Sequence, residues 1–254
     1  MTAPLLFFPR GTGRPRADLA FEEDALAAAA RGRATLLAYR WRTPVLVLGY
    51  AQEAASVDLA ACARHRIPVL RRISGGTGVL HHHALSLSLA LPLVHPWACS
   101  IGALYDGFVE SLRAALAELG HPLERGRGHK TAAGGRSPLC FEDRLTESLL
   151  WRGRKVLGCA QARRKAAALV HGTLLFGLDA ALQAELYGVP EARVRGAIGA
   201  LPAAAGPDAV ADAAAGRLAL FAGLALERAP RPPVPSAAAL SRYDTSRWAP
   251  GAVN

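Results

Sequence analysis

Residues 140–175 read CFEDRLTESLLWRGRKVLGCAQARRKAAALVHGTLL. This segment holds a thiol (Cys140), a lysine just past a tight turn (Lys155), a small-residue stretch read as a second turn (Gly158-Cys159-Ala160-Gln161), a basic run and the pair His171-Gly172. Residues 147–151 and 155–160 predict strands flanking the turn Arg152-Gly153-Arg154, and 169–176 predicts another strand. A thiol, a primary amine and an imidazole so close in sequence suggest acyl-transfer chemistry.

Upstream, residues 124–138 (ERGRGHKTAAGGRSP) read as a basic, glycine-rich loop. Residues 101–119 (IGALYDGFVESLRAALAEL) are the clearest amphipathic helix, stopped by Gly120. Residues 85–91 (LSLSLAL) alternate large and small, which predicts a strand with one apolar face, paired with a short strand over 79–81. Residues 34–41 and 44–48 predict two strands joined as a hairpin through Arg42-Thr43. Helices are expected over 17–30, where early acids suit a helix start, and over 56–65, with Asp58 near its beginning. A short strand over 68–72 runs into a glycine cluster. Downstream, helices are expected over 179–187 and 207–227, and from Pro230 a Pro-rich, then polar tail reads as an extended or mobile end. The pattern reads as one mixed domain of strands and helices with a helical C-terminal appendage, over residues 1–228, followed by a tail over 229–254.

The 254 residues suffice for a sizeable core without disulfides or metals. Lysine is confined to Lys130, Lys155 and Lys165 in a chain that otherwise uses arginine, so Lys155 in its patterned setting stands out. The net charge of +10 favours an anionic partner. No zinc-finger or RNA-recognition pattern is present and aromatics for base stacking are few, so a small acidic protein or a nucleotide is expected rather than nucleic acid. The cysteines Cys62, Cys99, Cys140 and Cys159 fit no zinc spacing. Residues 1–16 lack the apolar core of a signal peptide, and the apolar run over 84–94 is broken by serines and Pro92, so no membrane association is expected. A reducing cytoplasm is the expected location.

The glycine cluster Ser74-Gly75-Gly76-Thr77-Gly78 follows Arg71-Arg72. It is not a Walker loop, since no Gly-Lys-Ser/Thr follows, and not a dinucleotide fingerprint, since no helix follows. Glycines allow close backbone approach and can turn N–H groups to an anion, with the arginines adding charge and donors. A phosphate, a thioester carbonyl or a carboxylate would suit it, and so would a plain tight hairpin turn. Of His81, His82 and His83, at most His81 and His83 share a strand face, and no carboxylate or cysteine is near, so no metal site is expected.

Three blocks together resemble the lipoate–protein ligase and octanoyltransferase family, with its biotin/lipoyl ligase-like fold. Residues 45–52 (VLVLGYAQ) are similar to its early strand ending in Leu-Gly-x-x-Gln. Residues 71–81 (RRISGGTGVLH) are similar to its Arg-Arg-x-Ser-Gly-Gly-Gly-Ala-Val-x-His motif. Residues 153–161 (GRKVLGCAQ), followed by His171-Gly172, are similar to its Gly-x-Lys-x-x-Gly-Ser-Ala-Gln and His-Gly motifs. Order and spacing match over roughly residues 15–200. The resemblance implies an α+β fold, a mixed β-sheet with packed helices, and that residues 1–228 form the catalytic domain. It implies that Lys155 contacts the acyl carbonyl or an acyl-adenylate, that Arg71, Arg72, Ser74, Gly75, Gly76, Thr77 and Gly78 line the acyl and phosphate pocket, and that His81, Gly158, Gln161, His171 and Gly172 lie around it. The chain departs from the pattern at Thr77 (usually Gly), His82 (often Asp), Ala84 (commonly polar) and Cys159 (usually Ser).

The family includes two chemistries. Ligases make an acyl-adenylate with ATP and Mg. Octanoyltransferases take an acyl group from acyl carrier protein onto a cysteine, then pass it to a lysine of a lipoyl domain, with no cofactor. One transferase branch carries its nucleophile in a Cys-Phe about fifteen residues before the motif lysine, and Cys140-Phe141 stands fifteen residues before Lys155. The branch with its cysteine after His-Gly does not fit, since no cysteine follows Cys159. Neighbouring cations such as Arg136 would favour the Cys140 thiolate, and the glycine turn could hold the oxyanion. Cys159 is read as packing. The implied partners are acyl carrier protein and the lipoyl domains of 2-oxoacid dehydrogenases or glycine cleavage H protein. Both are typically acidic, and Arg125, Arg127, Lys130, Arg136, Arg163, Arg164 and Lys165 are candidates for the surface that meets them. An ATP-dependent ligase and a non-catalytic carrier- or lipoyl-domain-binding member are the alternatives.

Overall fold

The computed structural model describes residues 2–128, 139 and 141–250. In chain order the strands are β1 (Pro4–Phe8), β2 (Ala34–Tyr39), β3 (Val45–Leu48), β4 (Val69–Arg71), β5 (Val79–His81), β6 (Ala84–Pro92), β7 (Glu124–Arg125), β8 (Ser148–Trp151), β9 (Arg154–Arg163), β10 (Ala167–Leu175) and β11 (Ala225–Arg228). The α-helices are α1 (Pro15–Ala29), α2 (Leu59–Arg64), α3 (Ile101–Glu118), α4 (Ala180–Tyr187), α5 (Glu191–Ala197), α6 (Pro207–Ala222) and α7 (Ala237–Ser241). Among the described residues the strands form a large sheet, ordered β11-β1-β2-β6-β10-β9-β8-β7, and a small one, ordered β4-β3-β5. The small sheet mixes senses, with β3 parallel to β4 and antiparallel to β5. This is the mixed sheet with packed helices that the resemblance implies.

Two expected hairpins are absent because the chain changes sheet at each. The strands on either side of Arg42-Thr43 do not pair: β2 joins β1 and β6, while β3 opens the small sheet. Likewise β5 does not pair with β6, which lies between β2 and β10. The crossing from β5 to β6 is made at His83, a non-glycine residue at φ 50. The glycine cluster is not a hairpin turn either. The strands it joins, β4 and β5, lie on opposite sides of β3.

The core has layers. α3 and α6 cover one face of the large sheet, where Phe108, Leu112, Leu116, Val210, Ala214 and Leu218 meet Leu85, Leu87, Leu89 and Leu91 of β6. The other face is covered by α1, with Leu19, Leu26 and Ala29 near Leu37, Ala90 and Leu169. The serine face of β6 is therefore buried as well, contrary to the one-sided strand expected. Small residues there let α1 approach closely, and Ser86 and Ser88 are inside. α2, α4 and α5 pack on the small sheet.

The remaining differences are local. The turn between β8 and β9 is the two residues Arg152 and Gly153, both at positive φ (52 and 72), the form that matches strand twist in a two-residue hairpin. Gly158 to Gln161 lie within β9 and form no turn. The helix expected to reach residue 227 ends at Ala222, where Gly223 takes a left-handed conformation, and β11 follows. α5 was not expected. The expected extended or mobile tail is folded in part within its described residues: α7 forms, and Tyr243 and Trp248 are buried with the α1 layer. No helix among the described residues is long and apolar enough to cross a membrane.

Candidate functional site

The glycine turn is held by the buried guanidinium of Arg72 rather than left open. Arg72 donates from Nε to Ser74 Oγ (2.9 Å), from Nη1 to the Val47 carbonyl (3.1 Å), and from Nη2 to the carbonyls of Gly75 (2.7 Å) and Thr77 (3.0 Å). The flanking peptides are trans. Carbonyls aimed at Arg72 therefore turn the N–H groups of Gly76 and Gly78 away from it. Gly76 has φ 89, and its carbonyl passes so close to Gly49 that a Cβ on Gly49 would lie 2.0 Å from the oxygen. That approach explains Gly49, and Gln52 Oε1 accepts from the Gly49 N–H at 3.1 Å. Thr77 is tolerated at a usual glycine position because its φ is not positive.

Lys155 enters from the large sheet. In a regular strand residues three apart face opposite sides, but a register shift between Leu149 and Leu150 places a bulge in the β8–β9 ladder next to Lys155. Lys155 and Gly158 consequently share a side, and a Cβ on Gly158 would lie 3.2 Å from Lys155 Cε. Lys155 is buried, donates from Nζ to the Asp143 carbonyl at 2.8 Å, and stands 5.3 Å from the centre of the Phe141 ring. Cys140, together with Lys130 and Arg136, lies outside the described residues.

A cavity of about 410 Å³ separates the two parts. Gly75, Gly76 and Thr77 line one side, and Lys155, Cys159, Ala160 and Gln161 line the other, with Tyr105 and Asp143 between. Its size is that of a small-molecule site. A narrow continuation, sharing Cys159 and Ala160, is lined by Arg72, His81, Gly158 and His171. A larger cavity, of about 820 Å³ between Arg14 and Pro235, contains none of the motif residues. Among the sequence-derived candidates the structure thus brings Arg72, the turn, His81, Lys155, Gly158, Gln161 and His171 together. Two stand apart. Arg71 points the other way, donating to the carbonyls of Gly49 (2.6 Å), Gln52 (2.6 Å) and Arg247 (2.9 Å). Gly172 faces α3, where a Cβ would meet Phe108 at 2.9 Å.

Behind the turn is a group that sequence reasoning missed. His171 Nε2 is 2.6 Å from Ser74 Oγ, and His171 Nδ1 is 3.0 Å from both carboxylate oxygens of Glu22 on α1. Tyr39 OH donates to Glu22 at 3.1 Å. One turn earlier, Asp18 accepts from Trp41 Nε1 (2.9 Å) and from the Thr12 hydroxyl (2.8 Å), and burial raises its carboxyl pKa. These acids are structural core groups rather than a solvated helix start. A signal was present: Asp18, Glu22, Ala25, Leu26 and Ala29 share one helical face, and all are buried. His81 packs on Trp41 (4.8 Å between ring centres), and burial, with Arg72 and His171 nearby, lowers its pKa to about 3. His82 and His83 stack on each other, away from His81.

Octanoyltransferase LipM of Oceanobacillus iheyensis is 32% identical over 61% of this chain and 57% of its own length. That of Geobacillus kaustophilus is 31% identical over 74% and 71%, and that of Bacillus subtilis 30% over 62% and 59%. The chain thus spans less than two thirds of some of these relatives. The fold matches a lipoate-protein ligase A solved with ATP (TM-score 0.78, 21% identity, 99% of each chain). It also matches the bipartite lipoate protein ligase of Thermoplasma acidophilum, studied with its E2 lipoyl domain (TM-score 0.76, 19% identity, 100% of this chain and 98% of that one). The model of the lipoyl protein ligase A/B catalytic domain matches residues 14–203, and the chain belongs to that family.

Proposed function

We propose that the protein is an octanoyltransferase acting without ATP, metal or other cofactor in the cytoplasm. It moves an octanoyl group from acyl carrier protein to a lysine of a lipoyl domain, either of a 2-oxoacid dehydrogenase or of glycine cleavage H protein. The observation that carries this is the cavity between the glycine turn and Lys155, with Phe141 against the lysine ammonium. Phe141 follows Cys140 in sequence, which makes Cys140 the nucleophile of choice. Its thiolate attacks the thioester carbonyl of the donor, and the carrier's thiolate leaves. The acceptor lysine, as a neutral amine, then attacks the Cys140 thioester. The amide forms, the Cys140 thiolate leaves, and the amine proton is lost. In both steps charge develops on the carbonyl oxygen, where Lys155 and the outward N–H groups of the turn can meet it. The similarity to proteins named octanoyltransferase LipM supports the same reading.

Incubation with octanoyl–acyl carrier protein in the absence of ATP, followed by intact mass measurement, tests it. An octanoyl adduct that disappears in Cys140→Ala and discharges onto an added lipoyl domain is expected. No adduct would overturn this reading, and lipoyl-domain modification only with free acid and ATP would instead identify a ligase.

A further inference from the structure

Arg72, Ser74, His171 and Glu22 form one connected, buried chain: Arg72 Nε to Ser74 Oγ at 2.9 Å, Ser74 Oγ to His171 Nε2 at 2.6 Å, and His171 Nδ1 to Glu22 at 3.0 Å. The two ends fix its direction. A guanidinium can only donate and a carboxylate can only accept. Ser74 then accepts from Arg72, and with a neutral imidazole it passes its own proton towards His171 Nε2. His171 must carry its proton on Nδ1 and donate it to Glu22. With a neutral imidazole every donor points from Arg72 towards Glu22, and each group in the chain is satisfied.

Serine, histidine and acid in this order also make the nucleophilic triad of hydrolases. That role does not fit here. Ser74 has 0% exposure, and its oxygen already accepts from Arg72. What the chain does hold is the turn. The guanidinium whose Nε is fixed by Ser74 is the one whose Nη2 takes the carbonyls of Gly75 and Thr77. We propose that Glu22 is a positioning residue: through His171 and Ser74 it fixes the orientation of Arg72, and hence the direction of the N–H groups of the glycine turn that faces Lys155. The consequence for rate rests on the acyl-transfer reading above; the orientation of the chain does not.

Nitrogen-15 NMR of the eight histidines, with His171 assigned by its loss in His171→Gln, reads the chain directly. In the unmodified protein His171 is expected to carry a proton on Nδ1, facing Glu22. In Glu22→Gln the side-chain amide can donate to Nδ1, and the tautomer is expected to reverse. Octanoyl transfer by Glu22→Gln is expected to lose at least tenfold in kcat with KM for the acyl carrier protein within about twofold, since donor orientation matters at the transition state. Ser74→Ala interrupts the chain at another point and is expected to give the same split. An Nδ1-unprotonated His171 in the unmodified protein overturns the proposal whether or not any variant folds and whether or not the protein transfers octanoyl groups. With transfer established, unchanged kcat in both variants overturns it too.

Discussion

Lys155 lies across Gly158, with its Cε 3.2 Å from the place a Cβ at residue 158 would occupy. The glycine makes room for the ammonium. Gly158→Ala should push the lysine tip by a few tenths of an ångström or more. Transfer should fall by roughly ten- to a hundredfold, as small misplacements in a reacting site do, while the melting temperature moves little. Single-turnover rates beside a thermal melt check this.

Lys155 also satisfies the buried carbonyl of Asp143. Lys155→Met should cost about 1–3 kcal/mol through that lost donor and abolish transfer. Lys155→Arg should regain part of the stability but not the activity, because a planar guanidinium fork does not present a single ammonium beside Phe141 and Gly158. Urea midpoints and acyl-transfer assays separate the two effects.

Arg71 ties together parts of the chain far apart in sequence, donating to Gly49, Gln52 and Arg247. Its replacement by Ala should destabilise the protein by about 3 kcal/mol, the order of a charged hydrogen-bond network that leaves buried acceptors behind. Limited proteolysis should then cut first within residues 229–250. Equal protease resistance of the variant and the unmodified protein would disprove this account of the tail.

His81 gives a pH dependence. Its pKa is about 3 in the fold, from burial and then from Arg72 and His171, against about 6.5 in an unfolded chain. As pH falls below the unfolded value, the unfolded state takes up a proton that the folded state refuses. The stability from neutral His81 is therefore complete above about pH 6.5 and drains away towards pH 3, by up to about 1.4 kcal/mol per pH unit. His81→Gln should flatten the stability profile between pH 6 and 4, measured by denaturant titration.

The thiols should differ sharply. Cys62 is buried on α2, and burial followed by the charge of Asp58 raises its pKa to about 11, whereas Cys99 is exposed. At pH 8 a thiol reagent should label Cys99 within minutes and Cys62 only on unfolding. Peptide mapping by mass distinguishes them.

Much of this was legible in the chain itself. Long periodic segments such as α3 and the glycine-marked turn at Arg152-Gly153 follow from local rules, and the motif order around Lys155 and the glycine cluster located the cavity. What escaped was set by distant partners. The runs on either side of Arg42-Thr43 look like a hairpin locally, and only the competing edges of two sheets separate them. The serines of β6 look like a wet face until α1 covers them. Gly158 to Gln161 look like a turn because small residues also mark turns, yet here they make space for Lys155 beside a bulge. Glu22 looks like a surface acid until its helical phase is compared with the buried residues around it. Arg71 and Arg72 are adjacent and alike in sequence, but strand alternation sends them to opposite sides, one to the turn and one to the tail.

The β11 edge of the large sheet has a consequence for how the protein is made. β1 pairs on one side with β2, which follows soon after it, and on the other with β11, in a parallel register that sets Pro4 against Ala225. During synthesis, that second edge must wait until residues 225–228 have left the ribosome. Such distant pairing is slow to form, and an unpaired edge is a template for other chains meanwhile. Aggregation of nascent or heat-stressed protein should therefore begin at residues 4–8, and a peptide copying residues 225–228 with its flanks should suppress it.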